Sequence, residues 1–200
     1  MVDGVDVSSL QRWTLLAVAL AWCAFAAIFF LRRRAPGGLE QRRDPMGLAG
    51  LVLQGCGFGL TWSVRRPPEA PVLDLPFPVL VCLSVLAVAL AFASALLTLW
   101  SVRTLGKQWA LAARLVEGHE LVTSGPYQYV RNPIYSGMLG MLVATGIAVS
   151  RPWGLLLGVL FFWVGTVVRV RAEERLLRDA FGQTWIEWSR RTAALVPGLW

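Results

Sequence analysis

Residues 134–170 read IYSGMLGMLVATGIAVS, then Arg151-Pro152, then WGLLLGVLFFWVGTVVRV. Two apolar runs of about 17 residues each, at about 1.5 Å per residue, nearly cross a hydrocarbon core of about 30 Å. Two residues are too few to join them in any way except as antiparallel neighbours. The first run therefore opens, at residues 132–135, beside the place where the second closes, at residues 169–173. That juxtaposition is expected from topology alone.

Three more apolar runs lie upstream, at residues 13–31, 46–64 and 77–100. The 200-residue chain is 56% hydrophobic and only 16% charged, against about 25% charged in ordinary globular domains. The expected fold is an all-α integral membrane protein with about five transmembrane helices. It reads as one domain over residues 1–200, in which 1–100 supply three spans and 101–200 the functional part. The first run does not read as a cleavable signal: Asp3, Asp6 and a single Arg12 precede it, it is too long, and Arg32-Arg33-Arg34 forms a stop-transfer flank. Gly47, Gly50, Gly55, Gly57 and Gly59 in the second run, and Ala91, Ala93, Ser94 and Ala95 in the third, suit close helix packing in lipid. Pro67, Pro68, Pro71, Pro76 and Pro78 keep the segment between those runs out of a helix.

The net charge of +7 raises nucleic acid as a partner, but its distribution argues against one. Of the 19 Lys and Arg, all but Arg12, Arg65, Arg66 and Arg151 fall on one side of the alternating runs. The positive-inside rule then places the N-terminus outside and the C-terminus in the cytoplasm, in the inner membrane if the source is bacterial. The basic excess sets topology and attracts anionic lipid headgroups. Cys23, Cys56 and Cys82 are odd in number, lie in apolar runs and form no CxxC, so neither a disulfide framework nor a metal site is expected.

Polar residues crowd the entry to the fourth run. His119-Glu120-Leu121-Val122-Thr123-Ser124-Gly125-Pro126-Tyr127 leads to Arg131-Asn132-Pro133-Ile134-Tyr135. The only histidine and all three tyrosines, Tyr127, Tyr129 and Tyr135, lie within this stretch. Polar groups are costly near lipid unless a site needs them. Asn132-Pro133 is helix-start chemistry, with Asn expected to cap free N–H groups. Arg169 and Glu173, four apart, share a helix face and suit a ligand carrying both a carboxylate or phosphate and an ammonium. Glu174 points to a neighbouring face, open to either ligand or solvent. Short extended pieces or a reverse turn are expected around Glu117-Gly118-His119. The tail, residues 171–191, is amphipathic with an interruption at Gly182, and is expected to lie on the inner membrane surface as an anchor or a cover.

Taken together, the ordered set Leu121-Val122-Thr123-Ser124-Gly125-Pro126-Tyr127, Tyr129-Val130-Arg131-Asn132-Pro133-Ile134-Tyr135-Ser136-Gly137, Glu173-Glu174, Phe181-Gly182, Trp185, Trp188 and Pro197 resembles the isoprenylcysteine carboxyl methyltransferase family of membrane enzymes. The resemblance runs from about residue 103 to the C-terminus. It implies S-adenosylmethionine as cofactor, held at the cytoplasmic face, and a lipophilic methyl acceptor. By position, His119, Glu120, Leu121 and Val122 would meet the adenosine, and Tyr127, Asn132, Pro133 and Tyr135 would line the cofactor. Glu173 would hold the methionine ammonium, and Arg169 would face the acceptor. The chain departs from the family at Asn132, where His is usual. An Asn-Pro-x-Tyr version is more similar to the phospholipid N-methyltransferases, so a phospholipid or other small lipophile is the alternative acceptor. A non-catalytic membrane protein that retains the fold is a further alternative.

Overall fold

The computed structural model describes residues 6–31, 40–43, 46–106, 114–116 and 120–198. Among these residues, five α-helices follow the five apolar runs: α1 Val7–Leu31, α2 Met46–Ser63, α3 Phe77–Leu105, α4 Pro133–Val149 and α5 Pro152–Arg191. Among the described residues the strands are a small antiparallel ribbon, β1 Glu40–Arg43 with β2 Arg114–Val116; an extended piece was expected at the second of these but not at the first. Helices α1, α3 and α5 are long and apolar enough to cross a membrane, and α4 is a shorter apolar helix of 17 residues. Their outward faces carry exposed Leu16, Leu20, Val85, Leu96, Leu156 and Leu160, the surface a helix presents to lipid. The protein is a multi-pass membrane protein.

Two boundaries differ from expectation. Helix α3 continues to Leu105, past the apolar run that ends at Trp100, and closes on Gly106 at φ 54°. The first half of the amphipathic tail belongs to α5 itself. Residues 171–181 contain neither Gly nor Pro, so α5 runs on from the span without a break. The chain turns at Gly182, whose φ of 52° and ψ of −123° are non-helical and open only to glycine at low cost.

Helices α1, α3 and α4 share one core. Val18, Ala21 and Phe25 pack with Ala91 and Ala95 and with Met141, Ala144 and Ala148. Alanines at 87, 91 and 95, all buried, give α3 a flat face that its neighbours can approach closely.

Helix α2 packs instead on α5, backbone against backbone. A Cβ on Gly57 would lie 2.6 Å from the Gly158 carbonyl oxygen, and one on Gly165 would lie 2.6 Å from that of Gly50. The buried face of α2 is Gly47, Gly50, Gln54, Gly57 and Thr61. Gly55 and Gly59 meet nothing within 4 Å, so only part of the glycine-rich run is a packing face. Gly57→Val should destabilise the protein by about 1–3 kcal/mol through overpacking, whereas Gly59→Val should be near neutral. Thermal unfolding of both variants in detergent checks the contrast.

At the opposite end, Val64–Arg66 pairs with the α4–α5 joint. Arg151 N–H donates to the Val64 carbonyl at 2.9 Å and Arg66 N–H to that of Val149 at 3.1 Å. Arg66, read from the sequence as a loop charge, is only 9% exposed. Its guanidinium donates to the carbonyls of Ile147 and Ser150, both at 2.6 Å, which end α4. A cation at a helix C-terminus is electrostatically favoured. Desolvation pushes its pKa down to about 10, so it remains charged at neutral pH.

Candidate active site

The two-residue joint returns α5 beside the start of α4, and the polar residues of both meet there. Tyr135 Oη donates to Glu173 Oε1. Arg169 Nη2 donates to the same oxygen at 3.4 Å, one helical turn earlier on α5. The Arg169 guanidinium carbon also lies 5.1 Å from the centroid of the Tyr135 ring, within cation–π range. Tyr135 and Arg169 are buried. The Glu173 side chain stays 25% exposed, so the carboxylate reaches the surface of an otherwise closed cluster. From α2, Gln54 Oε1 accepts a long 3.4 Å hydrogen bond from Arg169 Nη1, and Gln54 Nε2 donates to Thr166 Oγ1 at 2.9 Å.

A 3₁₀ turn, Gly125–Gln128, brings in the next tyrosine. It depends on Gly125, whose φ is 60° and whose Cβ would lie 2.8 Å from Thr104 Oγ1 of α3. Both the left-handed backbone and the close approach exclude a side chain. Tyr127, on this turn, is 6% exposed. Burial, and then the nearby Glu173 carboxylate, raise its pKa, so the phenol stays neutral and is a poor proton acceptor at neutral pH.

The chain beyond α5 closes over this region. Backbone N–H groups of Arg131 and Asn132 donate to the carbonyls of Ala193 at 2.8 Å and Ala194 at 3.1 Å, and Val130 forms a parallel bridge with Ala193. Ser136 Oγ donates to the Leu195 carbonyl at 2.5 Å. Arg131 ties the corner together: Nε pairs with Glu174 at 2.7 Å, while Nη1 donates to the carbonyls of Ser189, at 2.8 Å, and Thr192. Glu174 is thus committed to Arg131. Arg131→Ala should loosen the tail, at about 1.5–3 kcal/mol for hydrogen bonds to a charged group. Limited proteolysis should then cut after residue 189 faster than in the unaltered protein while α1–α4 stay protected.

Residues 82–184 match the sequence profile of the phospholipid methyltransferase family, a stretch that contains Tyr127, Tyr135, Arg169 and Glu173. The chain belongs to this family. Among similar proteins, the protein-S-isoprenylcysteine O-methyltransferase B of Arabidopsis thaliana is 34% identical over 84 residues, 42% of this chain and 43% of that protein. The protein-S-isoprenylcysteine O-methyltransferase of Saccharomyces cerevisiae is 28% identical over 79 residues, covering 40% and 33%. The cobalt-zinc-cadmium resistance protein CzcN of Cupriavidus metallidurans is 36% identical over 101 residues, covering 50% and 46%. The chain spans about half the length of the curated relatives it matches. These matches bear out the resemblance to the isoprenylcysteine carboxyl methyltransferases.

Within this family member, the structure gathers Tyr127, Tyr135, Arg169 and Glu173 and seats Pro133 in the first turn of α4. Glu120, Leu121 and Val122 form irregular backbone leading to the 3₁₀ turn. His119 lies outside the described residues. Asn132 is placed differently from expectation. It occupies the N-cap position but makes no side-chain cap. Its Nδ2 donates to the Ala194 carbonyl at 2.9 Å, because the docked tail offers an acceptor where a free helix start would have none. The sequence placed Arg131 and Ser136 in the motif without a role for either, and gave no sign of residues 193–195. Gln54 did carry a signal, an amide in the middle of an apolar run.

Proposed function

We propose that the chain is an S-adenosylmethionine-dependent methyltransferase whose acceptor is a lipophile ending in a carboxylate, of the S-prenylcysteine type. The observation that carries this reading is the Tyr135–Glu173–Arg169 cluster, in which a carboxylate and a guanidinium sit side by side and offer opposite charges to two different ligand groups. The donor set fits the cofactor. Glu173 receives both described hydrogen bonds on Oε1, and a carboxylate has further lone pairs to accept an ammonium. The rings of Tyr127 and Tyr135 supply an apolar wall, and residues His119, Glu120, Leu121 and Val122 would offer backbone groups to the adenosine. Asn132, with its amide nitrogen committed to Ala194, would contribute through Oδ1, and Pro133 by contact.

Bound there, the cofactor supplies a methyl group already activated by its sulfonium. The protein's share is then to position the acceptor in line with that group and to exclude water. A carboxylate acceptor is ionised at neutral pH and needs no base. It needs a cation to orient it, and Arg169 is placed to serve. An amine acceptor must first lose a proton, and neither Tyr127, held neutral, nor Glu173, engaged with the cofactor, suits that task. This favours carboxyl O-methylation over phospholipid N-methylation, the reading that the family's name suggests. The basic residues gathered at this end of the helices support a cytoplasmic site, with the N-terminus outside.

Transfer of radiolabelled methyl from S-adenosylmethionine, with purified protein in vesicles, tests the reading. S-farnesyl N-acetylcysteine should acquire label that base releases as methanol, as a methyl ester does. Base-stable label in phosphatidylethanolamine would establish the amine reaction instead. Absence of S-adenosylhomocysteine binding in calorimetry would remove the enzyme reading and favour a non-catalytic protein.

A further inference from the structure

We propose that Gln54 on α2, outside the residues that match the family, is a positioning residue that fixes Arg169 for the acceptor carboxylate. The inference rests on the methyl-transfer reading above. Gln54 is 1% exposed, on the buried face of an apolar helix, where an amide is costly unless hydrogen-bonded. Its two ends do different things. Nε2 donates to Thr166 Oγ1 at 2.9 Å, which anchors the amide on α5, and this leaves Oε1 directed at Arg169 Nη1, 3.4 Å away. Helix α2 also makes the room. A Cβ on Gly50 would lie 2.5 Å from Arg169 Cγ, so the arginine stem lies in the groove that the missing side chain leaves.

The choice of an amide has a chemical reason. The guanidinium is planar, and holding Nη1 on α2 and Nη2 on Glu173 sets the orientation of its plane. Glu173 already supplies one negative charge. A neutral acceptor on the other side steers the fork without cancelling the charge that a carboxylate acceptor must meet. A leucine or methionine would fill the space but remove the hold of α2 on Nη1, and a glutamate would guide the fork but neutralise it.

Three variants in vesicles, Gln54→Met, Gln54→Glu and Thr166→Val, separate these effects, with S-farnesyl N-acetylcysteine as acceptor and S-adenosylhomocysteine affinity as the check on folding. Gln54→Met should lower kcat/KM for the acceptor about tenfold, and misplacement of about 1 Å can cost up to about 100-fold. S-adenosylhomocysteine affinity should stay within about threefold of the unaltered protein in every case. Gln54→Glu should also lower kcat/KM, mostly through KM, because the fork stays guided but its charge toward the acceptor carboxylate is cancelled. Thr166→Val keeps the shape of α5 and removes only the anchor of the amide, so it should act in the same direction and more weakly. A Gln54→Met variant as active as the unaltered protein overturns the proposal, as does loss of S-adenosylhomocysteine affinity in step with turnover, which would make Gln54 a packing residue. An unaltered protein that binds no S-adenosylhomocysteine, by contrast, overturns the methyl-transfer reading itself and this role with it.

Discussion

Glu173→Ala is expected to weaken S-adenosylhomocysteine binding by about 100-fold. Truncating one partner of a buried, hydrogen-bonded charge pair costs about 2–5 kcal/mol, and each 1.4 kcal/mol is about tenfold in affinity. In the protein, Glu173 accepts from Tyr135 and Arg169, so alanine also takes an acceptor away from two buried side chains. Glu173→Gln separates the terms. Its amide oxygen still accepts from the Tyr135 hydroxyl, but it offers no charge to an ammonium. Calorimetry should therefore show weak binding for both variants, with thermal stability reduced mainly in alanine. Affinity unchanged in Glu173→Gln would mean that the ammonium is held elsewhere.

Arg169→Ala is expected to do the opposite. Turnover should fall by about 100- to 1,000-fold, the range seen when one transition-state hydrogen-bond donor is removed. Cofactor affinity should hold or tighten, since Glu173 loses a competing cation. Arg169→Lys should not restore turnover. A lysine ammonium is a compact point charge and cannot reproduce a fork that meets Gln54 and Glu173 at once, both at 3.4 Å. Methyl-transfer assays beside calorimetry on the same preparations check the pair. Turnover retained with cofactor affinity lost would exchange the two roles.

Much of the site's framework was legible because it depends on local pattern. A two-residue joint between apolar runs returns the chain on itself, and Tyr135 does meet Glu173. Arg169 and Glu173 share a face because four residues make about one helical turn. Other features were not legible, because they depend on how separate segments meet. Asn132 reads as a cap until residues 193–195 dock against it and take its amide. Glu174 reads as a neighbour of Glu173 free for ligand or solvent until Arg131 claims it. Nothing in the composition of 171–191 tells whether an amphipathic stretch leaves α5 at the membrane surface or prolongs it.

Hydropathy, helical period and charge asymmetry are properties of each segment, so the sequence by itself determined a multi-pass helical protein with its polar cluster where two helices meet. Which glycines face a partner, which side chains the tail consumes and which residue on α2 reaches Arg169 are properties of helix register. Register was decided by close packing: Gly50 and Gly57 against Gly165 and Gly158 bring α2 near enough for one glutamine to touch the site.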